Sequence, residues 1–286
     1  MQRPEYLLDI SEEEYHAATK RNEFTTSHRL NLFRKCPALY KKTIDGEIVV
    51  EGETEAFIRG RATHKLVLEC VESDEKFASE FLVSDGPVNP KTDKPYGKAT
   101  KAYQEWVAEQ VKPVISMEDF ALMVKMRDAV HAHPVAKDLL ASGVAEGTIR
   151  TTWDDEPVQC RLDWFDPERN LIVDLKTCND IDRFRFDIRD FGYIEQMAFY
   201  NFCVSLARGD TIGIGRRPEC YLIAVEKKEP YRVAVVHIVQ LTILDAISNH
   251  MGGESWRDDA NAMIRELKKC RETGIWPTRY EDVINI

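Results

Sequence analysis

The chain has 286 residues, 43% hydrophobic and 31% charged, with a formal net charge of −10 at pH 7, a balance ordinary for a soluble globular protein and long enough to bury a substantial core. No run approaches the roughly eighteen uninterrupted apolar residues of a membrane span, and the first residues lack the basic region and apolar core of a signal peptide, so no spanning helix and a cytoplasmic location are expected. The seven cysteines, at 36, 70, 160, 178, 203, 220 and 270, are scattered without C-x-x-C spacing and read as reduced thiols.

Along the chain, Ser11-Glu-Glu-Glu14 has the form of a capping box opening a short helix, and Ser27 is placed to cap a second. Residues 54–72, 98–112 and 116–132 have helical periodicity, with Ser116 and Asp119 marking the last start. Within the first of these, Leu66, Val67 and Cys70 form an apolar stripe, and His64 stands four residues before Leu68. Ser84 to Gly97 is rich in turn residues and is expected to be a mobile loop. Strand-like runs follow at 145–153, 157–165 and 171–176, the last two separated by the turn-forming Pro167-Glu-Arg-Asn170. A long helix at 191–208, strands at 218–227 and 231–239, and a helical stretch at 241–273 broken at Gly252-Gly253 complete the order, with Gly274 to Tyr280 as an extended segment against the body. This order predicts an α/β protein with a mixed central sheet flanked by helices, in one domain over 1–286: a core of about 54–240, an N-terminal helical extension over 1–53 and a C-terminal helical segment over 241–286.

The chemistry concentrates in two neighbouring strands. Asp163 closes the run after Arg161-Leu162, and Asp174 follows eleven residues later in Leu171-Ile-Val-Asp174-Leu-Lys176. Strand side chains alternate faces, so Asp174 and Lys176 project together while Leu171, Val173 and Leu175 face the other way. Two aspartates on adjacent strands supply part of the oxygen shell of a hard divalent cation such as magnesium. Lys176 one pleat away can hold a phosphate oxygen or help position and deprotonate an attacking water. Taken alone, a D-x-K triplet is equally an ion pair on a surface hairpin, and a lone helical histidine is usually a packing residue. In the later helix, Gln196 and Tyr200 share a face.

In combination, His64 within Gly60-x-x-x-His64, Asp163, Asp174-Leu-Lys176 and Gln196-x-x-x-Tyr200 resemble the PD-(D/E)XK nucleases in order and approximate spacing, and specifically the branch holding the RecB nuclease domain and RecE-type exonucleases. The opening Thr26-Ser-His-Arg-Leu-Asn-Leu-Phe-Arg-Lys-Cys36-Pro-Ala-Leu-Tyr40 is similar to that of phage and prophage RecE-like proteins. The resemblance implies a restriction-endonuclease-like core with N-terminal and C-terminal helical additions. It implies metal ligation by His64, Asp163, Asp174, the backbone carbonyl of Leu175 and, as a weaker match, Glu146, with Lys176 as the catalytic lysine and Gln196 and Tyr200 contacting substrate or supporting it. Leu162 stands where the signature carries proline. The resemblance further implies Mg2+ as cofactor, with Mn2+ as a substitute, and 5′-to-3′ digestion of duplex DNA ends that leaves 3′ tails for a single-strand annealing protein. A ring-shaped homo-oligomer and a phage or prophage gene expressed in a bacterial host belong to the same implication. Relatives with an iron-sulfur cluster need grouped cysteines, and these are dispersed, so no such cluster is expected. Two alternatives stay open: a catalytically silent DNA-end-binding or partner-binding protein of this fold, and an endonuclease or single-strand nuclease.

The acidic net charge opposes nucleic-acid binding, which is largely cationic, but the basic residues are grouped. Arg29 and Arg34, Arg59 and Arg61, Arg161, and Arg183, Arg185 and Arg189 are candidate DNA contacts. In Asp182 to Phe191 arginines interleave with phenylalanines, read here as a loop that either touches DNA or buries its aromatics and pairs its arginines with Asp182, Asp187 and Asp190.

Overall fold

The computed structural model describes residues 3–48, 54–71, 73–210, 217–248, 259–279 and 281. Helices α1 (Glu12–Lys20), α2 (Ser27–Lys35), α3 (Pro37–Ile44), α4 (Glu55–Glu69) and α5 (Glu75–Glu80) come first. The short strands β1 (Leu82–Val83), β2 (Val88–Asn89) and β3 (Lys94–Pro95), helix α6 (Lys101–Ala108), strand β4 (Val114–Ile115) and helices α7 (Met117–Ala132) and α8 (Pro134–Leu139) follow. Then come β5 (Val144–Trp153), β6 (Glu156–Asp166), β7 (Leu171–Cys178), α9 (Phe184–Asp190), α10 (Tyr193–Ala207), β8 (Glu219–Glu226), β9 (Val233–Ile238), α11 (Gln240–Ser248) and α12 (Ala260–Thr273).

Five strands form the central sheet in the order β5-β6-β7-β8-β9. All neighbours are antiparallel except β7 and β8, which run parallel because the helical crossover α9–α10 lies between them. Ile149, Leu162, Phe165 and Ile172 face one apolar core together with Leu30 and Phe33 of α2, Phe199 and Phe202 of α10, and Ile264 and Leu267 of α12. Leu171, Val173, Leu175 and Ile223 face a second core with Leu66 and Val67 of α4 and Met123 and Met126 of α7. The expected mixed sheet covered by helices on both faces is thus the architecture.

Side-chain caps set the helix starts. Ser11 Oγ accepts from the Glu14 N–H at 3.1 Å and Ser116 Oγ from the Asp119 N–H at 3.1 Å. The second helix is capped one residue earlier than expected: Thr26, extended at φ −117°, accepts from the Arg29 N–H, and Ser27 is already helical. The turn between β6 and β7 is built by buried Asp166, which accepts from the N–H groups of Glu168 and Arg169, and it closes on Asn170 at φ +55°. The N-terminal segment lies along the outer edge of β5, where Leu8 and Thr148 exchange backbone hydrogen bonds of 2.7 and 3.1 Å. Leu7 Cδ1 sits 2.6 Å from where a Cβ on Gly147 would stand, so any side chain there would have to displace the buried Leu7. The tail packs as expected, with Trp276 stacked on Tyr40 at 6.0 Å.

Three expectations are corrected. Ser84–Gly97 contains the β2–β3 hairpin, with Gly86 against the Tyr103 ring, because Val88 and Asn89 pair with Lys94 and Pro95 around the Asn89 turn. The helix read over 98–112 is confined to Lys101–Ala108, capped by Thr100. The Arg-Phe segment is helix α9 and not a loop, because Phe184 and Ile188, four residues apart, give it an inner apolar face. The break expected at Gly252-Gly253 lies outside the described residues.

Candidate active site

Strict alternation along β7 sets the first half of the site. Val173 and Leu175 enter the α4–α7 core, so Asp174 and Lys176 project from the face covered by α10. Lys176 Nζ donates to Gln196 Oε1 at 3.1 Å, and Gln196 Nε2 donates to the Tyr200 hydroxyl at 2.8 Å. Asp174 Oδ2 lies 2.5 Å from Lys176 Nζ, and the Tyr193 ring centroid lies 4.6 Å from the same nitrogen. Positions 193, 196 and 200 fall on one helical stripe, so a single face of α10 clamps the lysine.

A distortion of β5 and β6 builds the second half. Their register passes from Ala145↔Trp164 to Gly147↔Leu162 without pairing Glu146 to Asp163. Leu162 and Phe165 enter the same core although three residues apart, and Trp164 faces the other, so the alternation slips at Asp163. Val144 and Ile149 share a core in the same way, with Glu146 between them at φ +55°. This left-handed conformation is uncommon for a non-glycine residue. Pairing of β6 with β7 stops at Trp164↔Val173, and past that point the Asp163 carboxylate accepts the Leu175 N–H at 2.8 Å in place of a backbone carbonyl. The Leu175 carbonyl points to the same strand edge as its N–H, into the opening between β6 and β7.

His64 enters this opening from α4, its Nδ1 3.3 Å from Asp163 Oδ2. Glu146 is held from the other side by Arg161, whose Nε donates to it at 2.7 Å while Nη1 donates to the Ile10 carbonyl at 2.9 Å. One ligand atom from each of His64, Glu146 and Asp163 lies within 4.8 Å of the other two.

Burial disfavours the charged form of every group here, and neighbours decide the outcome. Burial works against the His64 imidazolium, but the Asp163 carboxylate, with Glu146 behind it, overrides it and lifts His64 to about 9. Desolvation and the charge of Asp163 raise Glu146 to about 7 against the pull of Arg161. Burial and Asp163 together raise Asp174 to about 6, with Lys176 opposing. Asp163 is also desolvated, yet His64, Lys176 and the Leu175 N–H hold it below the usual carboxylate range. Burial pulls Lys176 down, and Asp174 and Asp163 more than reverse this, so it stays protonated.

Two carboxylates and an imidazole at this spacing fit a divalent cation, with a second carboxylate strand and a backbone carbonyl alongside. Asp174 stands apart from the three-residue cluster. It is 1% exposed, and its Oδ1 is buried with no hydrogen-bond partner among the described residues. A bound cation satisfies an orphaned acceptor of this kind.

The sequence profile of a PDDEXK-like domain of unknown function, DUF3799, matches residues 27–283. The chain belongs to this PDDEXK-like family. A crystal structure from Eubacterium rectale, of a protein named as a candidate exonuclease, superposes with a TM-score of 0.62 at 14% identity, covering 98% of this chain and 96% of that one. At that identity the likeness is one of fold. No curated protein gives a significant match. The PDDEXK-like assignment carries with it a nuclease fold and a candidate site for a divalent metal.

The residues singled out from the sequence separate into two groups. His64, Glu146, Asp163, Asp174, Leu175, Lys176, Gln196 and Tyr200 come together, although the cluster of potential ligands includes Glu146 and leaves Asp174 beside the lysine. Several arginines read as DNA contacts are engaged by the protein itself. Arg161 holds Glu146, Arg34 pairs with Glu195 at 2.6 Å, Arg59 with Asp119 at 3.3 Å, and Arg61 with Glu12 at 3.5 Å, while Arg29 donates to Asn22. These partners range from seven residues away, Asn22 for Arg29, to 161, Glu195 for Arg34, and grouping along the sequence does not show them. Arg183, Arg185 and Arg189 are exposed. Sequence reasoning missed Tyr193 as the wall under Lys176; its place three residues before Gln196 on one helical face was the available signal.

Proposed function

We propose that the protein is a Mg2+-dependent deoxyribonuclease that degrades duplex DNA from its ends in the 5′-to-3′ direction, leaving 3′ tails for a single-strand annealing protein, and that it works as a homo-oligomeric ring. The nuclease reading is carried by one observation: His64, Glu146 and Asp163 converge within 4.8 Å beside a buried lysine held by Gln196. End-specificity, polarity, ring and partner rest on the resemblance to RecE-type exonucleases, and the name of the Eubacterium rectale neighbour agrees with an exonuclease.

His64, Glu146 and Asp163 would hold the cation, and Asp174 and the Leu175 carbonyl are further candidate ligands. When bound, such an ion polarises the phosphodiester and lowers the pKa of water. The protein's own groups do the rest. Lys176 is protonated and fixed at three points, so it meets the phosphate as a cation and offsets charge developing on the non-bridging oxygens. Without metal, Glu146 at about 7 and Asp174 at about 6 are partly protonated near neutral pH, and a bound cation would hold both as ionised ligands. Gln196 and Tyr200 orient the lysine through a relay of 3.1 and 2.8 Å.

The test compares linear and closed-circular duplex, with either 5′ or 3′ label, in Mg2+. Progressive loss of linear DNA with early release of the 5′ label is expected, and Asp163→Asn and Lys176→Ala should abolish it. Cleavage of closed circles would remove the end-specific reading, and metal-dependent binding with no product from any substrate would point to a silent DNA-binding relative.

A further inference from the structure

Helix α9 leaves exposed rings on its outer face and at its C-terminal end, the latter beside the lysine clamp. Phe184 and Ile188 turn inward, while Phe186 is 42% and Phe191 64% exposed. The Arg185 guanidinium stacks on Phe186 at 4.7 Å. Phe191 caps the helix, and its ring lies 5.7 Å from that of Tyr193 with 32° between the planes. Buried Phe184 also lies near this ring, 6.1 Å from Tyr193. Tyr193 in turn holds Lys176 at 4.6 Å, so an aromatic series runs without interruption from the catalytic lysine to the surface.

Charge around these rings is arranged for a phosphate chain. Asp182 is tied to Arg232 at 3.0 Å, Asp190 lies 3.4 Å from Arg189, and Asp187 is half-buried. Arg183 and Arg185 are exposed, and among the described residues no carboxylate lies within ion-pair distance of either. Exposed aromatics interleaved with uncommitted arginines are the chemistry that holds single-stranded nucleic acid, by stacking on bases and attracting the backbone. A protein partner of matching chemistry would need an acidic, aromatic segment; a DNA strand offers both components at every nucleotide and already has to reach Lys176.

We propose that the exposed C-terminal end of α9 is a platform for unpaired nucleobases, with Phe191 stacking on a base of the strand whose phosphate is presented to Lys176 and Phe186, on a different face of the same helix, offering a second exposed ring. This rests on the reading of the chain as a DNA nuclease and deepens it: the strand enters as melted nucleotides, and its bases, not only its phosphates, are gripped. Backbone geometry explains why the platform can stay in place. Gly192 at φ +71° turns the chain between α9 and α10, and a Cβ there would come within 3.2 Å of Asn31 and 3.3 Å of Arg34, so this turn lies close against α2.

The test measures binding of a fluorescein-labelled oligothymidylate of about a dozen nucleotides to the full chain by anisotropy with Ca2+, and quenching of 2-aminopurine in the same sequence. Phe191→Ala should weaken binding about 5- to 150-fold, the effect of losing one stacked base, and abolish the quench. Phe191→Trp should restore both, whereas Phe191→Leu, equally apolar, should not. The side chain is mostly exposed, so the variants should melt with the wild type, which separates a binding loss from unfolding. Wild-type affinity in both Phe191→Ala and Phe186→Ala overturns the platform, as does a wild-type protein that binds duplex but no single strand. Phenylalanine-dependent binding of the oligonucleotide by a protein that cuts nothing keeps the platform and defeats the nuclease reading, so the two fail separately.

Discussion

Metal binding at His64, Glu146 and Asp163 must expel protons, and the structure fixes how many. His64, lifted to about 9 by Asp163 and Glu146, is almost fully protonated at pH 7, and Glu146 at about 7 is half protonated. A cation that takes both as ligands therefore releases about 1.5 protons at pH 7, about one at pH 8 and about half at pH 9. The proton on His64 alone competes with the ion by a factor of about 100 at pH 7, roughly 2.7 kcal/mol of apparent affinity, and this handicap fades as pH rises toward 9. Titration calorimetry with Mn2+ in two buffers of different ionisation enthalpy counts the protons directly. His64→Ala should leave only the Glu146 contribution, half a proton or more at pH 7, because loss of the imidazolium raises Glu146 further. A release that stays near zero, or does not change between pH 7 and 9, would refute the assignment of these two residues as ligands.

The same His64 shift governs the metal-free protein. A raised histidine pKa gives stability that is full below about 6.5 and is lost as pH climbs through about 9, roughly 3 kcal/mol in all, so the melting temperature in chelator should fall from pH 7 to 10 in the wild type and much less in His64→Ala. Arg161→Ala frees Glu146 from its 2.7 Å partner and should weaken Mn2+ binding about 10- to 100-fold; unchanged metal affinity with weaker DNA binding would return Arg161 to the phosphate-contacting role. Tyr200→Phe removes the hydroxyl that accepts from Gln196, and a fall in kcat of about tenfold with little change in KM is expected, whereas a change in KM alone would place Tyr200 on the substrate. Calcium should support DNA binding without hydrolysis because it tolerates looser geometry than magnesium, and robust turnover in calcium would contradict the site.

What the sequence reveals here follows from whether the deciding physics is local. Alternation along β7 is a local property, and it correctly aims Asp174 and Lys176 at one face and Leu171, Val173 and Leu175 at the other. The i, i+4 spacing of Gln196 and Tyr200 is equally local, and the relay to Lys176 follows from it. Arg34 reads as part of a basic cluster and Arg161 as a separate candidate contact, yet Glu195 lies 161 residues from the first and Ile10 lies 151 residues from the second, and nothing in a window of sequence links them. Helix α9 was misread for the opposite reason: its aromatics and arginines were taken together, while only Phe184 and Ile188 define its inner face.

Glu146 was undervalued because its role depends on a backbone state. In a regular strand pair Glu146 and Asp163, opposite each other between the Ala145↔Trp164 and Gly147↔Leu162 pairs, would present their carboxylates on one face of the sheet with the full repulsion of adjacent like charges. The positive φ at Glu146 and the slip at Asp163 instead turn both carboxylates into the opening left where β6 parts from β7, and His64 and Arg161 neutralise them there. The irregularity is therefore the device that makes the cluster. It costs ladder hydrogen bonds and places a non-glycine residue in a disfavoured conformation, and a structure keeps such a defect only where its surroundings fix it. Here the fixing groups are visible: the Leu175 N–H on Asp163, and Arg161 bridging Glu146 to the Ile10 carbonyl of the N-terminal segment. That last contact makes the stretch before α1, which runs along the edge of β5, part of what aims Glu146, although it bears no residue of the nuclease signature.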